Sequence, residues 1–171
     1  MAADEITYFR EVQKFDQLWV QFLVIGTTAF MWYSAYSQFF LGKAIGNNPP
    51  SDTFMVILWF TFGIIFPVFM YSLRLTVEVR YSGLYFQFYP FHLSLKRILF
   101  ENIKSYEARD YRPLRDYGGW GLRYGLGGKA YTTHGTRGLM LEYSNGKRLM
   151  FGSQKADEFE AALRLAIGAV N

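Results

Sequence analysis

The sequence predicts a membrane α-helical hairpin joined to a β-rich domain that ends in an amphipathic α-helix. Three observations carry this. Residues 17–42 and 53–73 contain no Asp, Glu, Lys or Arg, and each run, at about 1.5 Å per residue, can cross a hydrocarbon core of about 30 Å. The stretch between them, with Pro49 and Pro50, is short enough for a turn. Beyond Arg74 the apolar period changes from helical to two, which is the mark of strands.

Composition narrows the function classes. The net charge of +4 is carried by the second part of the chain: before residue 74, Arg10, Lys14 and Lys43 stand against Asp4, Glu5, Glu11, Asp16 and Asp52. A basic domain beside a bilayer points to anionic headgroups or an acidic protein partner rather than nucleic acid. There is no cysteine, so disulfides and thiolate metal sites are excluded. A cleaved signal peptide is not expected, because the leader carries acidic residues and the apolar run outlasts a signal core.

From the N-terminus, residues 1–16 read as an amphipathic interfacial segment, with Ile6, Phe9, Val12 and Phe15 at i, i+3 spacing. The hairpin occupies 17–73, its helices expected at about 17–41 and 53–73. Gln21, Thr27, Thr28, Tyr33, Ser34, Tyr36 and Gln38 make the first span polar, so part of it should face protein. Pro67 should kink the second. Arg10, Lys14, Arg74 and Arg80 flank the spans, against Lys43 alone in the turn. This asymmetry predicts a multi-pass protein of the cell (inner) membrane with both termini and the soluble domain cytoplasmic.

Residues 74–171 alternate. Leu75, Val77 and Val79 make one strand and Leu84, Phe86 and Phe88 a second, with Ser82-Gly83 as the turn. Further strands are expected at 92–98 and 103–109, then short ones at 120–124 and 129–133 within a Gly-rich stretch. Asn145-Gly146 between apolar alternations predicts a hairpin of 139–143 with 148–152. A helix over 154–167 should bury Phe159, Leu163 and Ile167, with Ser153 as N-cap and Gly168 at its stop. Short strands followed by one helix match the element order of a pleckstrin-homology (PH)-like β-barrel capped by a C-terminal α-helix; a split barrel of other topology remains open.

The segments Phe9-Arg-Glu-Val-Gln13, Tyr111-Arg-Pro-Leu-Arg-Asp-Tyr-Gly-Gly-Trp-Gly121, Gly128-Lys-Ala-Tyr131, Asn145-Gly-Lys-Arg-Leu149 and Gly152-Ser-Gln154 resemble an uncharacterised family of bacterial and archaeal PH-like membrane proteins. The resemblance implies a PH-like domain on a two-helix anchor and implies no activity.

The glycines at 118–128 precede Lys129, yet Arg123 and Ala130 break a phosphate-binding P-loop, and dinucleotide spacing fails too. His92 and His134 have no acidic neighbour at metal-ligand spacing. The spans lack histidine for an axial ligand; Phe30, Trp32, Tyr33, Tyr36 and Phe40 could touch a pigment or quinone, but lipid contact and helix packing suit them better. No cofactor is expected, and no catalytic constellation is visible, so the reading is non-enzymatic. Arg112, Arg115, Trp120, Arg123, Lys129 and Arg137, interleaved with tyrosines, form the candidate partner- or headgroup-binding surface; its bland counterpart is a solvated loop of Arg–Asp pairs. The expected function is an accessory or scaffold subunit of a larger membrane complex, with the bilayer and other membrane subunits as partners. A free adaptor binding anionic headgroups or a cytoplasmic protein is the alternative.

Overall fold

The computed structural model describes residues 6–125 and 127–170, which divide into two units, one helical (15–72) and one of mixed α/β structure (6–14 with 73–170).

In the helical unit the charge-free runs form the expected hairpin. α1 spans Leu18–Leu41 and ends at Gly42, whose φ of 63° is a left-handed cap. Ser51 caps the returning span, its hydroxyl accepting from Phe54 N–H. That span is α2 (Asp52–Phe60), a π-helical turn (Thr61–Ile65) and α3 (Phe66–Ser72). The irregularity falls directly before Pro67. Proline offers no N–H to the Gly63 carbonyl four residues back, and the Trp32 indole N–H of α1 donates to that carbonyl at 3.2 Å instead. Trp32 meets Trp59 edge-on at 5.0 Å, and a β-carbon at Gly63 would press on both indoles. Ser34 and Ser37 donate to carbonyls of their own hairpin, and Gln38 reaches Pro50 O and Asp52. Both helices, Leu18–Leu41 and Asp52–Ser72, are long and apolar enough to cross a membrane by length and composition.

The mixed unit begins before the hairpin and resumes after it. Of residues 1–16, expected as an amphipathic interfacial segment, 1–5 lie outside the described residues and the rest contain strand β1 (Thr7–Lys14). β1 pairs antiparallel with β2 (Arg74–Arg80), Lys14 lying opposite Arg74 and Val12 opposite Thr76. The inward side chains of β1 are Phe9, Glu11 and Gln13. Two of these are polar, which is why the period of two does not show in the apolar residues. Their polarity is satisfied inside: Glu11 accepts from Ser153 Oγ and Gln154 N–H, while Gln13 donates to Gly152 O and accepts from Thr133 Oγ1.

β3 (Gly83–Tyr89) and the short β4 (Lys96–Ile98) complete a four-stranded sheet ordered β1-β2-β3-β4. The strand expected over 92–98 is only its last three residues. A second sheet has the order β5-β8-β9-β7-β6, built from β5 (Ile103–Asp110), β6 (Gly121–Gly125), β7 (Gly128–Thr132), β8 (Arg137–Tyr143) and β9 (Arg148–Gly152). β7 and β9 run parallel; the other pairs are antiparallel. The inner faces meet through aromatics, with the Phe86 ring 5.0 Å from both Tyr131 and Phe151. On its other face the second sheet is covered by α4 (Pro113–Tyr117), a helix not expected from the sequence, which seats Tyr111 and Tyr117 against Ala130 and Met150.

The expected PH-like β-barrel is corrected by this topology. β4 is too short to carry the hydrogen-bond ladder onward, a 3₁₀ turn (Phe100–Asn102) follows, and β5 pairs with β8 instead. The sheets stay open, and the fold is a mixed α/β arrangement of two sheets. α5 (Ala156–Val170) covers the gap along the edge strands: Phe159 stacks on Phe9 at 5.0 Å, and Glu160 accepts from Ala108 N–H of β5. Its buried stripe is Phe159, Ala162, Leu163 and Ala166, with Ile167 half-buried, and Gly168 does not stop it. Ser153 lies ahead of α5 and accepts from Lys155 N–H.

His92, between β3 and β4, is buried, and its Nδ1 accepts Phe88 N–H at 3.3 Å. Nε2 must then hold the proton and donate to Tyr131 Oη. Burial first, then the Lys96 and Lys129 ammonium groups, lowers its pKa below the ordinary 6.5. A histidine lowered on folding contributes stability that is present above the unfolded value and is lost as pH falls through the folded one. The melting temperature of the full chain in detergent is therefore expected to decline below about pH 6.5, and His92→Gln should flatten the decline. An unchanged slope in the variant would show that His92 titrates freely.

Candidate functional site

Sheet alternation decides where the basic residues go. Arg112 precedes α4, its N–H donating to the Asp116 carboxylate, and Arg115 lies exposed on α4 itself. Trp120 donates its indole N–H to Gly135 O at 2.9 Å, and Arg123 on β6 folds back to donate to Trp120 O at 3.0 Å. Arg123 stands opposite Ala130, whereas Lys129 stands opposite Tyr124, so these two cations point to opposite faces of the sheet. Arg137 donates to Asp157 of α5 at 2.6 Å, and both partners are largely exposed. The structure thus joins Trp120 with Arg123, places Lys129 on the opposite face of the sheet from Arg123, and ties Arg137 to α5.

The glycines serve close approach of backbones. A β-carbon at Gly125 would strike the Asp116 carbonyl, and one at Gly128 the Arg148 carbonyl; Gly128 also has φ +103°. Beside them an open cleft of about 700 Å³ is lined by Tyr124, Lys129, Lys147 and Arg148. Lys129 Nζ sits 4.8 Å and 5.2 Å over the Tyr131 and Tyr124 rings. Burial alone would lower its pKa, but hydrogen bonds to Tyr131 and Tyr124 outweigh this and raise it. The cleft can hold an anion by charge. Burial drives Tyr111 up to about 12 and raises Tyr117 and Tyr143 as well, so these phenols stay protonated near neutrality. Among the described residues no cluster of three or more His, Asp or Glu could hold a metal ion.

A second basic surface was not visible in the sequence. The outer face of the four-stranded sheet aligns Arg10, Glu78, Tyr85 and Arg97 in one cross-strand row and Lys14, Arg74 and Tyr89 in another. The buried Glu78 carboxylate binds Arg10 at 3.2 Å and Arg80 at 2.5 Å. Arg80 lies 4.7 Å and Arg97 5.8 Å from the centre of the Tyr85 ring, and Arg74 lies 5.1 Å from that of Tyr89. One carboxylate thus tethers Arg10 and Arg80 while phenol rings lie under Arg74, Arg80 and Arg97, leaving the face cationic. Only the knowledge that β1 is a strand puts Arg10 and Lys14 on it.

No curated protein and no solved structure matches the chain. The expected membership of a PH-like membrane family is therefore corrected on two grounds, the open sheets described above and the family match itself. The model of a family of unknown function, DUF6141, matches residues 2–170, and the chain belongs to that family.

Proposed function

We propose that the chain is a two-span membrane protein whose mixed α/β domain serves as a non-enzymatic accessory subunit of a larger membrane assembly, docking through that domain and its helices. The observation that carries the reading is the pairing of Lys14 with Arg74. The hairpin leaves from and returns to neighbouring positions of one sheet, so the segments on either side of it belong to one folded unit and share one side of the bilayer. Arg10, Lys14, Arg74 and Arg80 against Lys43 favour the cytoplasmic side. Only 22% and 11% of the two apolar windows is buried, unlike core helices of a soluble domain. Tyr33 and Tyr36 are exposed on α1, and phenols in hydrocarbon are better satisfied against a neighbouring helix.

Because the chain has no cysteine, single cysteines test the topology cleanly. One at Asn47 should react with a membrane-impermeant reagent from outside intact cells and one at Ser144 should not; the reverse pattern would overturn the assignment. A photocrosslinker at Tyr36 should give a discrete protein adduct in native membranes, and adducts with lipid alone would reject the subunit reading.

A further inference from the structure

The end of the four-stranded sheet at which the chain leaves for residues 15–72 and returns from them carries a second feature. Lys14, Arg74 and Tyr89 form its last row. Arg74 follows Ser72, the end of α3, by two residues, at most about 7 Å of extended chain. The β3–β4 loop, residues 90–95, leaves the sheet from this same row. Within it Phe91 is 55% and Leu93 83% exposed, while His92 between them is buried. The loop is held firmly: His92 N–H donates to Phe88 O at 2.8 Å, Gln87 donates to His92 O at 3.0 Å, and the Phe91 ring stacks on Phe88 at 5.7 Å. The buried histidine thus leaves its two apolar neighbours exposed at the end of the sheet where Lys14 and Arg74 lie.

We propose that this loop is a third membrane contact, an apolar foot in which Phe91 and Leu93 enter the leaflet while Lys14 and Arg74 bind the phosphates of anionic lipids. The inference rests on the reading of Leu18–Leu41 and Asp52–Ser72 as spans. The bilayer is the occupant argued for because chain connectivity keeps the cationic row within a few residues of both helix ends, at headgroup depth. Apolar side chains beside aromatics and cations are what that depth selects.

The test uses the full chain in nanodiscs of phosphatidylcholine with phosphatidylglycerol, carrying an environment-sensitive fluorophore on a single cysteine at Leu93, Asn145 or Phe30. The Leu93 probe should be quenched several-fold by lipids spin-labelled near the headgroup and sheltered from aqueous iodide. The Asn145 probe should show the opposite, and the Phe30 probe should be quenched by deep spin labels. In phosphatidylcholine alone, quenching at Leu93 should fall several-fold; no change would overturn the role of the cations. Iodide quenching at Leu93 equal to that at Asn145, with Phe30 still quenched at depth, would overturn the foot and leave the spans standing. Loss of deep quenching at Phe30 would reject the spans. A Leu93 probe sheltered from both lipid label and iodide would mean that protein covers the loop, which also overturns the proposal.

Discussion

A fragment of residues 74–171 is expected not to hold the fold, whereas a chain in which a two-residue Asn-Gly turn replaces residues 15–73 should fold as a water-soluble domain. The fragment looks like a complete domain in sequence, but it lacks β1. Without β1, Phe159 loses its stacked partner Phe9, and Ser153, Gln154 N–H, Gly152 O and Thr133 lose Glu11 and Gln13. Losing a buried phenylalanine costs about 3–5 kcal/mol, and each lost hydrogen bond adds about 0.5–1.5 kcal/mol. The sum rivals the roughly 5–15 kcal/mol by which a domain is stable. β2 also becomes an open, apolar sheet edge, which invites aggregation. The bridged chain keeps all of this, because Lys14 and Arg74 are already opposite each other and a type I′ turn suits that spacing. Amide dispersion in NMR spectra and cooperative thermal unfolding decide the matter. A 74–171 fragment melting within a few degrees of the bridged chain would show that β1 is dispensable.

Leu163→Ala should destabilise the bridged domain by about 2–5 kcal/mol. Leu163 is fully buried, in the stripe by which α5 covers the edges of both sheets. Leu165, two residues on, is 66% exposed, and its replacement by alanine should stay within about 0.5 kcal/mol. Urea unfolding of the two variants side by side measures the difference. Equal, small effects would mean that α5 does not seal the gap between the sheets.

The legible parts of this fold were those where polarity and burial agree. β3 alternates cleanly, Asn145-Gly146 marks the hairpin of β8 and β9, and the C-terminal stripe leads directly to α5. β1 was illegible because its inward positions hold Glu11 and Gln13, whose buried partners lie more than a hundred residues away. α4 was hidden in the Gly-rich stretch, since its five residues are too few for a helical period to show. The candidate binding residues were adjacent in sequence but parted by alternation, as Arg123 and Lys129 illustrate. In the loop after β3, Leu93 and Leu95 read as part of a strand; only the buried imidazole of His92 reveals that its neighbours turn outward.

The insertion of residues 15–72 between two paired strands also sets an order of events during synthesis. β1 emerges about 60 residues before its partner, a delay of several seconds at ribosomal speed. In water, closing so long a loop would cost about 3 kcal/mol more than a two-residue turn, at about 0.6 kcal/mol per doubling of length. On the proposed reading of the two helices as spans, a hairpin entering the bilayer would bring its two ends together before β2 is complete. Insertion would then act as the nucleation step of the sheet, and the membrane would shorten the search by which Lys14 finds Arg74.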